Sequence, residues 1–354
     1  MKKQLTIKIG SRASRLAVAQ TEQIVHKLME AFPNTRFKTI LIKTRGDRAA
    51  KVPIAQIGGK GLFTKELERA LLSRKIDIAI HSLKDLPTDL PPGLRIGAIP
   101  QRGDPRDIAL TRGRLPLGKL PANARVGTSS LRRKTQLAAA FPHLEVVDLR
   151  GNLDTRLELL KNGRNRLEAI VVAKAGLDRL GLKDMPGEPI SPDQIVPAPG
   201  QGALALEVRS DERSRKLLEP ILAGVHDPLT AAAVAAERAL LKRVEGGCLV
   251  PLGAYAEPAE EGLLRLRAVI ADPGGARLYR QEVIGDAGDP DGLAAAVEMK
   301  LREEGAAGAI EAYRARARLT TAGGRSKGVR AVRVRRAAHR RRPAQRAARK
   351  SRNR

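Results

Sequence analysis

The chain has one cysteine, no tryptophan, four Phe and three Tyr among 354 residues. A single cysteine excludes an intramolecular disulfide framework and any multi-cysteine metal site. The histidines, at positions 26, 81, 143, 226 and 339, show no metal-ligand spacing, so no metal is expected. With so few rings, packing falls to Leu, Ile, Val and Ala, and a base-stacking platform for nucleic acid is disfavoured. No apolar run reaches the ~18–20 residues that span a membrane. The start, Met1-Lys-Lys-Gln-Leu-Thr-Ile-Lys-Ile-Gly, is basic but then alternates, unlike a signal peptide. Neither a G-x-x-x-x-G-K-[ST] nor a G-x-G-x-x-G fingerprint is present, so a nucleotide is not favoured. These absences predict a soluble protein of a reducing, cytoplasmic compartment.

Basic charge, by contrast, is abundant: 66 Lys and Arg against 38 Asp and Glu, a net +28. It is concentrated at one end, with 17 basic and no acidic residues from Arg314 to Arg354. That tail lacks a sustained apolar period and is expected to be disordered. It would attract nucleic acid or an anionic surface non-specifically, or serve only as a solvated appendage. The remaining body is still basic, which points to an acidic small ligand as well.

Periodicity predicts strands over 5–9, 37–43, 76–82, 145–149, 168–173 and 203–208. Helices are predicted over 14–32, 64–74, 153–161 and 175–180. That alternation implies βαβ units and largely parallel sheets. Pro/Gly-rich connections near 100–106 and 197–201 separate two α/β blocks. Beyond them, helices over 212–222 and 228–244, strands over 252–256, 263–270 and 277–284, and one helix over 291–313 form a smaller α+β unit.

Three loops combine Gly, Ser, Thr and Arg at helix starts: Gly10-Ser-Arg-Ala-Ser14, Gly127-Thr-Ser-Ser-Leu-Arg-Arg133 and Arg150-Gly-Asn-Leu-Asp-Thr-Arg156. Helix N-termini hold anions, and Arg adds bidentate recognition of carboxylate or phosphate. Each Ser or Thr taken alone is equally a simple N-cap. The segment Asp77-Ile-Ala-Ile-His-Ser-Leu-Lys-Asp-Leu-Pro87 ends a buried strand, where ligand crevices of open sheets lie. Asp85 there is a candidate acid/base or counter-charge to a developing cation, or a partner of Lys84 or an Arg. His81 reads as structural. Cys248, in Glu245-Gly-Gly-Cys-Leu-Val-Pro251, is an inert small hydrophobe or a thiolate that carries something.

Taken together, Lys43-Thr-Arg-Gly-Asp47, Gly58-Gly-Lys-Gly-Leu-Phe63, His81-Ser-Leu-Lys-Asp85, Val126-Gly-Thr-Ser-Ser-Leu-Arg-Arg133, Leu149-Arg-Gly-Asn152, Gly200-Gln-Gly202 and Gly246-Gly-Cys248 closely resemble the porphobilinogen deaminase (hydroxymethylbilane synthase) family. The resemblance spans about residues 5–313 and leaves the tail outside. It implies two periplasmic-binding-protein-like (type II) α/β domains, residues 1–101 with 199–219 and residues 102–198, with the active cleft between them. A small C-terminal α+β domain, 220–313, and the basic tail, 314–354, follow.

The implied activity is a transferase of tetrapyrrole and haem biosynthesis. It joins four porphobilinogen molecules head to tail with loss of ammonia, and water releases hydroxymethylbilane to the next tetrapyrrole enzyme. A dipyrromethane cofactor, bound as a thioether to Cys248, is the implied primer, and it carries the growing chain to a hexapyrrole. Asp85 matches the catalytic carboxylate. Arg12, Ser14, Lys60, Lys84, Thr128, Ser129, Ser130, Arg132, Arg133, Arg150, Gly151 and Arg156 match positions that bind acetate and propionate groups, and Phe63 matches an aromatic packed near the pyrroles. The family implies a monomer. Two departures stand out: Gln56 replaces a lysine of some members, and Arg15 stands where proline is common. A two-lobed anion-binding module without catalysis is the alternative, but it leaves Cys248 unused.

Overall fold

The computed structural model describes residues 4–44, 62–182, 185–244 and 250–321. The first unit contains β1 (Thr6–Arg12), α1 (Arg15–Ala31), β2 (Arg36–Ile42), α2 (Lys65–Leu72), β3 (Ile78–Ser82) and β4 (Leu94–Ala98). The second contains β5 (Asp107–Thr111), β6 (Arg125–Gly127), α3 (Leu131–Ala140), β7 (Glu145–Val147), α4 (Leu153–Lys161), β8 (Leu167–Ala173), α5 (Lys174–Arg179) and β9 (Glu188–Ile190). The chain then returns to the first unit as β10 (Leu204–Arg209).

The two sheets share one plan, β2-β1-β3-β10-β4 and β7-β6-β8-β5-β9. In the first, β1 runs parallel to β2 and β3, while β10 runs antiparallel between β3 and β4. In the second, β6 runs parallel to β7 and β8, and β5 is the antiparallel strand beside β8 and β9. Each sheet is therefore largely parallel with one reversed strand, the arrangement of type II binding-protein domains. The reversed strand comes first in one unit and last in the other, so the chain crosses twice. The crossings touch, because the Gly103 amide donates to the Gly202 carbonyl at 3.1 Å. Gly202 has φ +87°, and a Cβ there would meet the Gly103 carbonyl oxygen at 2.5 Å. A side chain at that position would force the crossings apart.

Helix α6 (Glu212–Ala223) follows β10. Its Leu218, Ile221 and Leu222, with Val225 beyond it, pack on Ile9, Ile80 and Val208 of the first sheet. The expected limit at 219 therefore falls inside a helix of the first core, and the chain leaves that core only after Val225.

The third unit is α7 (Pro228–Arg243), the antiparallel meander β11 (Leu252–Pro258), β12 (Leu263–Ala271) and β13 (Leu278–Asp286), then α8 (Pro290–Leu301) and α9 (Ala307–Thr321). Ala236 and Leu240 of α7 and Val297 and Leu301 of α8 share one core with Leu252, Leu266 and Ile310. The single helix predicted over 291–313 is interrupted by a π-turn, Arg302–Ala306, in which Gly305 has φ +106°. The predicted tail also starts too early. Arg314 bonds Glu298 at 3.1 Å and Glu311 at 2.9 Å, and the helix runs on to Thr321. Residues 322–354 lie outside the described residues. Among the described residues no helix is long and apolar enough to cross a membrane.

Candidate active site

The carboxyl ends of the parallel strands carry most of the residues singled out by sequence. β1 ends at Arg12, β3 runs into a 3-10 turn over Leu83–Asp85, and β6 leads to Thr128, Ser129 and Ser130. Ser14, Ser130 and Asn152 are the N-caps of α1, α3 and α4, accepting from Ala17, Arg133 and Thr155 amides. Capping explains these polar side chains locally, and it also leaves the first turn of each helix aimed at whatever anion lies beyond. Arg15 forms an ion pair with Asp154 at 3.0 Å, so the starts of α1 and α4 meet across the boundary between units. Arg15 thus supplies a cross-unit contact. Both side chains are well exposed, so its contribution to stability is small.

The densest group of charges gathers around Asp107 at the start of β5. Its carboxylate is fully buried and accepts from Arg132 Nη1 at 2.8 Å, Arg133 Nη2 at 2.7 Å and Gln201 Nε2 at 2.8 Å. Burial opposes its ionisation, but the two guanidinium groups outweigh that and hold its pKa far below the usual carboxylate range. Gln201 Oε1 accepts from Arg133 Nη2 and from Lys84 Nζ, both at 3.4 Å. One glutamine therefore links Lys84 of the first unit to the arginine pair of the second.

Lys84 and Asp85 lie on the water-exposed side of the 3-10 turn. The Lys84 ammonium lies beside Gln201 Oε1 at 3.4 Å. Its pKa is lowered to about 8, first by desolvation and then by Arg133 and Arg132, against Asp85 and Asp107. Arg156 is lowered to about 10 by desolvation and by Arg133, and its Nε donates to the Gly151 carbonyl at 2.9 Å. Gly151 itself adopts φ +108° with Thr155 packed against it, a conformation that favours glycine. Arg150 is exposed, while Thr128 is buried and accepts from the Ser130 amide at 3.3 Å. Ser129 Oγ donates to the Leu149 carbonyl at 2.8 Å. Arg12 stacks on the Phe63 ring at 4.1 Å. Cations that depress one another in this way suit a ligand carrying several carboxylates.

Among the described residues no salt bridge draws on Asp85, which leaves its carboxylate available to a ligand. His81 Nε2 meets Glu207 Oε2 at 2.9 Å inside the first core, a structural role as expected. Lys60, Gln56 and Cys248 lie outside the described residues.

Sequence reasoning missed Asp107, Gln201 as a bridge, and the anchoring of the crossings. There Arg102 donates to Glu237 at 2.6 and 3.2 Å and to the Gln201 backbone carbonyl at 2.8 Å. Glu237, fully buried on α7, also accepts from the Gly200 amide at 2.6 Å and the Ala256 amide at 2.8 Å. It thus ties both crossings to the third unit. The Gly200-Gln-Gly202 motif marked the place, but its partners come from distant segments.

A family model described as porphobilinogen deaminase, dipyromethane cofactor binding domain, matches residues 7–216. A second, porphobilinogen deaminase, C-terminal domain, matches residues 231–303. The porphobilinogen deaminase of Thermus thermophilus is 46% identical over 297 residues, covering 84% of this chain and 95% of that one. That of Moorella thermoacetica is 45% identical over 311 residues, covering 88% and 97%. Among solved structures, a regulatory domain of OxyR2 from Vibrio vulnificus aligns with a TM-score of 0.38 and 16% identity over 64% of this chain and 97% of that one.

Proposed function

The chain belongs to the porphobilinogen deaminase family, and from that premise we propose that it joins four porphobilinogen molecules head to tail, releasing ammonia at each step and finally hydroxymethylbilane. It is an enzyme of tetrapyrrole biosynthesis with a dipyrromethane cofactor. The observation that carries the finer reading is the cation group of Lys84, Arg132, Arg133 and Arg156, set beside the exposed carboxylate of Asp85.

Dipyrromethane and porphobilinogen both carry acetate and propionate groups, which suit that donor set. Lys84, Arg132, Arg133 and Arg156 would hold these carboxylates, with Arg12, Arg150, Lys60, Ser14, Thr128, Ser129, Ser130 and the Gly151 backbone completing the cradle. Phe63 would pack on a pyrrole face. Cys248 would hold the cofactor as a thioether. The bound cofactor supplies the pyrrole carbon that is extended.

The chain's own contribution to the chemistry centres on Asp85. Loss of ammonia from porphobilinogen leaves a cation delocalised onto the pyrrole nitrogen, and the Asp85 carboxylate would stabilise that charge through the N–H. Its oxygens would also accept and return protons as the leaving amine departs and the pyrrole regains aromaticity. The arginines orient without proton transfer, since a guanidinium stays charged at working pH. We place the enzyme in the cytoplasm as a monomer that passes its product to the next tetrapyrrole enzyme. Its division into three domains follows the two sheets and the meander.

The test is the intact mass of the denatured full-length chain. An added mass of two porphobilinogen units less two ammonias is expected, absent in Cys248→Ala. A bare wild-type chain that stays bare after incubation with porphobilinogen and releases no ammonia would overturn the proposal.

A second expectation concerns pH. With its pKa at about 8, Lys84 is a cation below that value and loses its charge as pH rises through it. Capture of porphobilinogen, read as kcat/KM, should decline above about pH 8, and Lys84→Arg should carry it further into the alkaline range. A wild-type profile without an alkaline limb would show that Lys84 keeps its charge through that range, and Lys84→Ala would then test its place in the binding set.

A further inference from the structure

Arg238 follows Glu237 on α7 but faces a different target, the chain leaving the Asp85 turn. Its Nη1 donates to the Leu86 carbonyl at 3.0 Å, and its Nη2 donates to those of Pro87 at 2.7 Å and Thr88 at 3.3 Å. Three successive carbonyls converging on one point repel one another unless a planar, many-donor cation sits between them. Arginine meets that need and lysine does so poorly. The guanidinium is half-buried, so these bonds compete little with water.

The turn is anchored at its entry by other means. The Leu83 amide donates to the Ala203 carbonyl at 3.0 Å, and the Leu86 amide closes the turn on Leu83 at 3.1 Å. The Leu83 and Leu86 side chains are buried. Lys84 and Asp85 lie between entry and exit, facing water. The exit is held by Arg238 and, more weakly, by the exposed pair Lys242–Asp89 at 3.0 Å. Helix α7 ends at Arg243, shortly before Cys248 in the chain.

We propose that Arg238 is a positioning residue that fixes the aim of the Asp85 carboxylate to the helix that precedes Cys248 in the chain. This rests on the catalytic reading of Asp85. Without Arg238 the leucine anchors keep the turn folded but its exit is free to shift. A displacement of about 1 Å at a reacting group costs on the order of 10²-fold in rate.

The experiment uses the full-length holoenzyme and compares Arg238→Gln, Arg238→Lys, Lys242→Ala, Asp85→Ala, Asp85→Glu and the double variant Arg238→Gln/Asp85→Glu. Arg238→Gln should keep its dipyrromethane by intact mass and lower kcat roughly 10–100-fold, with KM for porphobilinogen within about threefold. Arg238→Lys should retain more activity, and Lys242→Ala should match wild type. In Asp85→Glu the carboxylate is already displaced by a methylene, so adding Arg238→Gln should cost less than about threefold more.

Wild-type kcat in Arg238→Gln overturns the proposal, and so does its full loss repeated in the Asp85→Glu background. If Arg238→Gln fails to fold, Arg238→Lys and its double variant with Asp85→Glu carry the same comparison. Normal turnover in Asp85→Ala would sink the catalytic reading, and the positioning role with it. An inactive Asp85→Ala beside a fully active Arg238→Gln would sink the positioning role alone.

Discussion

Asp85→Ala is expected to fold, to retain its dipyrromethane and to lose about a thousandfold or more in turnover. Positioned acid–base groups contribute about 10²–10⁴-fold, and a carboxylate facing a developing cation adds electrostatic stabilisation on top. A thousandfold loss corresponds to ~4 kcal/mol in the barrier. Folding should survive because Asp85 is exposed and, among the described residues, enters no salt bridge. The turn's backbone is held by Leu83, Leu86 and Arg238, none of which touches the Asp85 side chain in these bonds. Ammonia release per active chain, normalised to adduct mass, gives the value directly. Turnover within tenfold of wild type would show that another group handles the protons.

Much of this architecture could be read from local patterns, and the parts that could not share a physical cause. Helix Leu153–Lys161 was predicted to the residue, because Asn152 caps its start and the apolar spacing is regular. β4, β5, β6 and β9 were not predicted, β6 being only three residues long. Leu94–Ala98 carries a glycine, Asp107–Thr111 opens on a carboxylate, and Glu188–Ile190 holds a proline, so none shows an alternating pattern. The reversed direction of β10 is also silent, since strand periodicity is the same in either sense. Its Glu207 and Arg209 are charged, yet both are buried. They are matched by His81 and Asp77, which lie 126 and 132 residues away.

The site divides along the same line. The Arg-rich loops announce themselves because capping residues, glycines and cations are adjacent in sequence. Asp107, Glu237 and Arg238 do not, because each acts on groups brought together by the two crossings and by α7. Asp107 has Arg132 as a partner 25 residues on and Gln201 94 residues on. A lone Asp ahead of a short apolar run carries no local sign that two guanidinium groups will close on it.

Asp107 also limits what the arginine pair can do, and that leads to the largest stability effect expected here. Arg132 and Arg133 are each more than nine-tenths buried, and both spend donors on Asp107. Arg132 Nη1 also donates to the Val196 carbonyl and Arg133 Nη1 to the Val171 carbonyl, so few donors of either fork are left for substrate carboxylates. Asp107→Asn keeps the shape and one acceptor oxygen but leaves two neighbouring buried cations without their counter-charge. Breaking a buried pair by removing one partner typically costs about 3–5 kcal/mol. A loss of that order is expected in chemical denaturation of the cofactor-free protein, seen as a lower midpoint at constant slope.

The loss should be smaller in the cofactor-bearing protein, whose bound carboxylates can face the freed guanidinium groups. Acid should reproduce the effect in wild type. The Asp107 pKa is depressed in the fold, so its contribution is complete above the unfolded value near 3.8 and fades as pH falls below it. The Asn variant should therefore lack this acid-labile component while remaining less stable at neutral pH. Equal stability of Asp107→Asn and wild type at pH 7, with and without cofactor, would mean that the arginine pair does not depend on this carboxylate. The cations would then be free to serve the substrate alone.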